Sequence, residues 1–401
     1  MYAMKHQKFL TLAACLLMLL ALAGCGGGGG GDNPPAGPAK WTVLVYMNAA
    51  NSLDSYAEND INEMEQVGST DQLNIIVQVK RRNVNFQNTR RMLIAKDGQP
   101  NAVTSPVIQD LGLGVDMGAW QTLKSFVEWG IATYPSEHVA VVIWNHGDGW
   151  RSLTAVNPIT KAISEDDLTG NHIEIWQLPQ ALRPLDTSPV LDVLAYDACY
   201  MQMAEVAQEV RLCTQYICGS EEFFPGEGYP YELMLTPLHD TPTISARMFA
   251  SSLVDNIYAG LSYNGSITQS ALDASTITAL TAKIDAFAGA LMSSSITKDE
   301  ANVVRTQAQS YVIPENKDLI DYAKRMAALR PDDANLQAAY VQLTAAVASA
   351  VVNEKHTNDA VKDSHGVAIY LPSRLDFDTK YLNTAFSRAT RWDEWIQSQG
   401  Q

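Results

Sequence analysis

A chain of 401 residues with 46% hydrophobic side chains can fill one large domain or two ordinary ones and bury a full core. Its formal net charge of −16, from 44 acidic against 28 basic side chains, argues against a nucleic-acid partner, because phosphates would be repelled rather than neutralised. The same charge favours cationic ligands.

The chain opens with Lys5 and Lys8 ahead of the short apolar run LTLAACLLMLLALAG, so residues 1–24 read as a secretory signal peptide. Leu22-Ala23-Gly24-Cys25 resembles a bacterial lipobox, in which the cysteine is lipidated and becomes the new N-terminus. Residues 25–40, rich in Gly and Pro, then read as a flexible tether. The expectation is a protein of the bacterial cell envelope, periplasmic or on the outer surface, touching membrane only through its lipid anchor. Beyond Cys25 stand Cys199, Cys213 and Cys218. Three remaining thiols make a disulfide framework an unsuitable theme. Cys213 and Cys218 either pair or fill apolar space, the second being preferred; Cys199 calls for another explanation.

WTVLVYM (41–47) is a continuous apolar run of strand type. In 52–68, Ala57, Ile61 and Met64 recur at helical spacing, while Asp54, Glu58, Asp60, Glu63 and Glu65 are assigned to a face that water covers. LNIIVQVK (73–80) is a second strand, TRRMLIAK (89–96) an added hairpin strand, 118–134 a helix and HVAVVIWNHG (138–147) a third apolar strand. VLDVLAYDAC (190–199) is the fourth, backed by a helix through Met203, Val206, Ala207 and Val210, and TQYICGSE (214–221) is the fifth. Residues 276–360 are helical and Ala-rich, and HGVAIYLPS (365–373) returns as a strand. Alternating helices and uniformly apolar strands predict an α/β fold, a mostly parallel sheet covered by helices on both faces. The parts are 41–275 as the sheet domain, 276–362 as an added helical subdomain, and 363–401 as a strand and helix returning to the sheet.

Ligands of such sheets sit beyond the carboxyl ends of the strands. Two strands here end in reactive groups, one in His146-Gly147 and the other in Asp197-Ala198-Cys199. Alone, a histidine after a strand is more often structural, and a cysteine after an apolar run is usually core. Together they supply a thiol nucleophile and an imidazole that takes its proton and returns it to a leaving amine. The backbone N–H groups of Gly147 and Cys199 are placed to receive an oxyanion, and the missing side chain of Gly147 would let main chain approach the substrate. No cofactor is required for this chemistry.

The pairing of an apolar block plus His-Gly with another plus Ala-Cys resembles the caspase-like cysteine peptidases. WTVLVYMNAANSLD, LGLGVDMGAWQTLKSFVEW, NHGDGW, YDACYMQMAEVA, GSEEFFPGEGYPY, TQSALDAS and HGVAIYLPS then follow the order of the clostripain family, across roughly 41–400. Tyr200-Met201-Gln202 and Phe223-Phe224 depart from the family pattern and bear on fine specificity. The resemblance implies a caspase-like fold and an endopeptidase cutting after Arg or Lys, with His146 as acid/base and Cys199 as nucleophile. A basic P1 side chain asks for a carboxylate. Asp197, on the same side of its strand as Cys199, is the first candidate and Glu227 a weaker second wall. The resemblance also implies single-chain precursors, cut here after Lys161, before Ala162, with Arg151 as another possible site. It further implies calcium dependence, for which Glu165, Asp166 and Asp167 could serve or be merely a solvated loop. Expected partners are protein or peptide substrates with a basic P1 residue, no nucleic acid, and no second copy of the chain. A catalytically inactive surface lipoprotein that binds peptides is the alternative. His365-Gly366 precedes its strand and reads as structural. LGLGVDMG (111–118) has the wrong spacing for a dinucleotide fingerprint and reads as a helix-start turn.

Overall fold

The apolar runs assemble, in a computed structural model that describes residues 38–85, 87–151, 162–183 and 191–399, into a sheet whose carboxyl edge gathers the residues singled out above. The strands in the first half are β1 (Ala39–Ala49), β2 (Leu73–Arg81), β3 (Thr89–Leu93), β4 (Val107–Gly112), β5 (Ser136–Trp144), β6 (Ile163–Asp166) and β7 (Asn171–Ile173). They continue as β8 (Leu191–Asp197), β9 (Thr214–Gly219), β10 (Thr268–Asp273), β11 (Asn316–Asp318), β12 (Val351–His356) and β13 (Ala368–Tyr370). Among the described residues nine of them form one sheet in the order β12-β10-β9-β8-β5-β1-β2-β3-β4. Its five central strands, β9-β8-β5-β1-β2, are mutually parallel, and antiparallel pairs flank them on both sides.

The parallel strands are buried on both faces, as their unbroken apolar sequences require. One core face packs Trp41, Val43, Val45, Ile75 and Val142 against helices Ala57–Val67, Tyr231–Asp240 and Ala246–Gly260. The other packs Leu44, Tyr46, Val141, Ile143 and Leu194 against Trp120–Thr133, Ala204–Val210 and the helices of the C-terminal third.

Two elements differ from the sequence reading. The Ala-rich helix ends at Ala350, and Val351–His356 turns into the edge strand β12, pairing antiparallel with β10. The β-branched pair Val351-Val352 closes a helix whose Ala-rich sequence masks the change of period. The strand at 368–370 lies outside the large sheet: β13 pairs antiparallel with β11 and makes one bridge, Ala368 to Met203. Residues 37–401 form one compact unit, in which the helices of 276–362 share a hydrophobic cluster with β1, β5 and β8.

Candidate active site

Register decides where the chemistry falls. β5 and β8 pair with Trp144 opposite Asp197, and the Asn145 N–H donates to the Asp197 carbonyl at 3.2 Å. His146 and Cys199, each two residues further on, therefore leave adjacent parallel strands at the same level. Both line a cavity of about 310 Å³, together with Ser52, Tyr56, Trp144, Asp197, Phe223, Phe224 and Gly228. The bond from Asn145 N–H is continued by its side chain. Its Nδ2 donates to the carbonyls of Asn48 and Glu165, and its Oδ1 accepts from Glu165 N–H at 2.8 Å. The amide preceding the histidine thus fastens the ends of β1, β5 and β6 to one another.

The imidazole Nε2 of His146 lies 2.8 Å from Ser52 Oγ, just past the carboxyl end of β1. The Cys199 thiol is engaged by main chain: Phe224 N–H donates to Sγ at 3.2 Å, and the thiol donates to the Phe224 carbonyl at 3.6 Å. Burial pushes the Cys199 thiol up to about 12, with the charges of Asp148, Asp197 and Glu222 adding to the rise while the Phe224 N–H works against it. The free protein therefore holds a protonated sulfur. Directly after it, Tyr200 adopts φ +59°, a left-handed conformation unusual for an aromatic residue, and its N–H donates to the Glu222 carbonyl.

Packing of the two turns also calls for glycine at 147. A Cβ there would stand 2.5 Å from the carbonyl oxygen of Cys199 and 3.1 Å from Ala198 and Met201. The glycine lets the β5 turn seat against the β8 turn; a side chain would drive the two apart.

Asp197 is 4% exposed and reaches the cavity. Its Oδ2 accepts from Tyr229 N–H at 3.1 Å and Tyr231 Oη at 3.0 Å. Desolvation raises its carboxyl to about 7 in spite of those two donors. Beyond it stands Asp60, 1% exposed, whose Oδ2 accepts from Trp144 Nε1 at 2.5 Å. Asp60 and Glu65 are thus corrections to the solvated helix face. The helix is covered on one flank by the 225–231 loop and on another by 103–105, where Glu65 accepts from the N–H groups of Thr104 and Ser105. Glu227 lines an adjoining cavity of about 190 Å³ with Glu63 and Pro230, separate from the one holding Cys199.

Ala162 is fully buried, and its carbonyl accepts from Asp148 N–H; Lys161 and Cys25 lie outside the described residues. Arg151 is held by Glu315 at 3.0 Å and sits over the Tyr370 ring. Of the acidic run, Asp166 is buried and bonded to Lys80 Nζ at 2.7 Å and to the N–H groups of Met117 and Leu168, so it is already committed and the run does not fit a calcium loop. Among the described residues no group of three or more His, Cys, Asp or Glu is arranged to hold a metal ion. Cys213 and Cys218 are free and buried. His365 pairs with Asp318 at 2.9 Å and lines another cavity. No helix among the described residues is long and apolar enough to cross a membrane.

Sequence reasoning passed over Ser52, Asp60, Trp144, Tyr229 and Tyr231. Ser52 had a usable signal, its place just beyond the end of a central parallel strand. The others converge only through the fold.

Comparison with known proteins gives the same frame. The family model described as the clostripain family matches residues 45–398. The clostripain of Hathewaya histolytica is 26% identical over an alignment covering 48% of this chain and 41% of that protein, so the match spans about two fifths of its length. A secreted C11 cysteine protease from Bacteroides thetaiotaomicron, solved with an irreversible peptide inhibitor, superposes with a TM-score of 0.68 at 23% identity, covering 89% of this chain and 100% of that one. An inactive zymogen C11 protease from Parabacteroides distasonis gives 0.69 at 20% identity, covering 88% and 99%.

Proposed function

The chain belongs to the clostripain family of cysteine peptidases, and on that premise we propose that it is an endopeptidase cleaving peptide bonds after Arg or Lys through Cys199 and His146. The observation that carries the reading is the common cavity of His146, Cys199 and the buried carboxylate Asp197. A thiol held protonated until use needs an adjacent base at the moment of attack. In this reading His146 takes the Sγ proton as sulfur bonds to the scissile carbonyl carbon, and the N–H groups of Gly147 and Cys199 receive the oxyanion. Collapse breaks the C–N bond, and the imidazolium gives its proton to the leaving amine. Water, deprotonated by the same imidazole, then hydrolyses the thioester and frees the thiol.

Asp197 is the carboxylate that would meet a P1 guanidinium or ammonium, with Glu227 contributing at longer range from its neighbouring cavity. Self-processing after Lys161 and lipidation of Cys25 complete the proposal for an envelope-anchored, monomeric enzyme. Asp166, already paired with Lys80, is not free to ligate calcium.

Fluorogenic peptides ending in Arg, Lys, Leu or Gln, offered to wild type and Cys199→Ala, test the reading. Turnover of the Arg and Lys peptides by wild type alone is expected. Turnover surviving Cys199→Ala would end the nucleophile assignment; preference for Leu or Gln would end the basic specificity. Binding of basic peptides by wild type without turnover would favour the inactive peptide-binding lipoprotein.

A further inference from the structure

The floor of the site holds more negative charge than one cation-binding carboxylate requires. Were a Cβ present on Gly228, it would stand 3.0 Å from Asp197 Oδ2, 3.0 Å from Asp60 Oδ2 and 3.4 Å from Trp144 Nε1. Gly228, at φ +70°, therefore lies where the two carboxylates converge. The groups facing them are Trp144 from β5, Tyr229 and Tyr231 from the following loop and helix, Glu63 from Asp60's own helix, Glu227 beside Gly228, and Glu232 next to Glu63. Trp144 and the Tyr229 main chain only donate hydrogen bonds, and the Tyr231 hydroxyl donates to Asp197. Among the described residues no Lys, Arg or His forms an ion pair with Asp60, Glu63, Asp197 or Glu227. Arg81, at the end of β2, is engaged with Asp54 and Glu58. Asp60 Oδ1 is buried with no hydrogen-bond partner at all.

Two buried carboxylates facing each other without a cation cannot both be ionised at modest cost. Building on the basic-P1 reading above, we propose that Asp60 and Asp197 act as one pair that carries a proton in the free protein. A cationic side chain entering against Asp197 takes that proton's place and sends it to solvent. Asp60 does not line the cavity, yet it sets the strength and pH dependence of recognition as a specificity-determining residue. Burial lifts both carboxyls well above the ordinary range, and the charge of Asp197 adds to the rise of Asp60, in agreement with this arrangement.

The test uses full-length protein carrying Cys199→Ala and benzamidine as the cationic probe, titrated calorimetrically in two buffers of different ionisation enthalpy. At pH 6.5 the pair predicts release of close to one proton per benzamidine bound, and affinity falling up to about tenfold for each pH unit below the pair's titration. Adding Asp60→Asn, which keeps an acceptor for Trp144, should reduce the release at pH 6.5 and weaken binding about tenfold at pH 8.5. Benzamidine binding without proton release in the parent overturns the inference even if the Asp60→Asn protein fails to fold. Unchanged proton release and affinity in Asp60→Asn overturn it equally. If benzamidine does not bind and the active protein prefers neutral P1 peptides, the basic-P1 reading itself fails and takes this inference with it.

Discussion

Ser52 Oγ stands 2.8 Å from Nε2 of His146, so a neutral hydroxyl from the end of β1 fixes the imidazole that leaves the end of β5. A base oriented in this way loses part of its advantage when the partner is removed. Ser52→Ala should lower kcat on Arg peptides by about tenfold, the worth of one neutral hydrogen bond, with KM little changed. Ser52→Thr should restore most of the loss. A drop confined to KM would show that the hydroxyl binds substrate instead of holding the histidine.

The Cys199 thiol, pushed up to about 12 by burial and the neighbouring carboxylates, should be poorly reactive unless the imidazole takes its proton. Peptide-resolved labelling with iodoacetamide at pH 7.5 should find Cys199 of His146→Ala modified at least ~10-fold more slowly than in wild type. Cys213 and Cys218, buried in both, serve as internal controls. Equal labelling of Cys199 in the two proteins would separate the histidine from the sulfur.

Gly147→Ala brings a methyl within 2.5 Å of the Cys199 carbonyl oxygen, a rigid backbone atom that cannot step aside cheaply. The two turns must part. Peptidase activity should fall by about 100-fold, as a displacement of the order of 1 Å at a reacting centre does, and the melting temperature by several degrees. Activity within twofold of wild type would show that the turns tolerate separation.

Folding stability should decline between pH 5 and pH 8. Desolvation raises Asp197, Glu63 and Glu205 each to about 7, so across this window the folded chain holds protons that the unfolded chain has released. A folded state binding more protons than the unfolded one loses stability as pH rises. His365, raised by its bond to Asp318, acts in the same direction, because the stability it lends is present at low pH and fades as pH passes its folded value. Lys317, lowered to about 8 by burial, acts oppositely but above this window. Thermal melts of Cys199→Ala should therefore give a higher midpoint at pH 5.5 than at pH 8; the reverse order would deny the buried carboxylates their raised values.

Intact mass of wild type against Cys199→Ala tests the processing proposal: wild type alone should yield fragments meeting at Lys161. Equal cutting of both proteins, or of neither, rules self-cleavage out.

The sheet and two of its reactive ends were legible because apolar runs such as VVIW and VLDVLAY advertise strands buried on both faces, and their last residues are polar without core purpose. His146 and Cys199 could be paired from sequence since neighbouring parallel strands deliver their ends to one edge. Asp60 could not. Its helical spacing beside Glu58 and Glu63 is that of a wet face, and only the 225–231 loop, folding back over it from far along the chain, makes it dry. β12 stayed hidden for a local reason: an alanine helix running into two valines shows no break in hydrophobicity where the backbone changes from helix to strand.

The fastening by Asn145 bears on what scission would do. Asn48, Asn51 and Asn145 grip Ser164 and Glu165, and Lys80 grips Asp166, while β5 from the N-terminal side lies hydrogen-bonded against β8 from the C-terminal side. A chain severed between 151 and 162 would consist of two pieces sharing one sheet, joined along the β5–β8 seam and by these grips on β6. None of these contacts runs through the covalent link, so the halves should migrate apart in detergent yet travel as a single particle in native buffer.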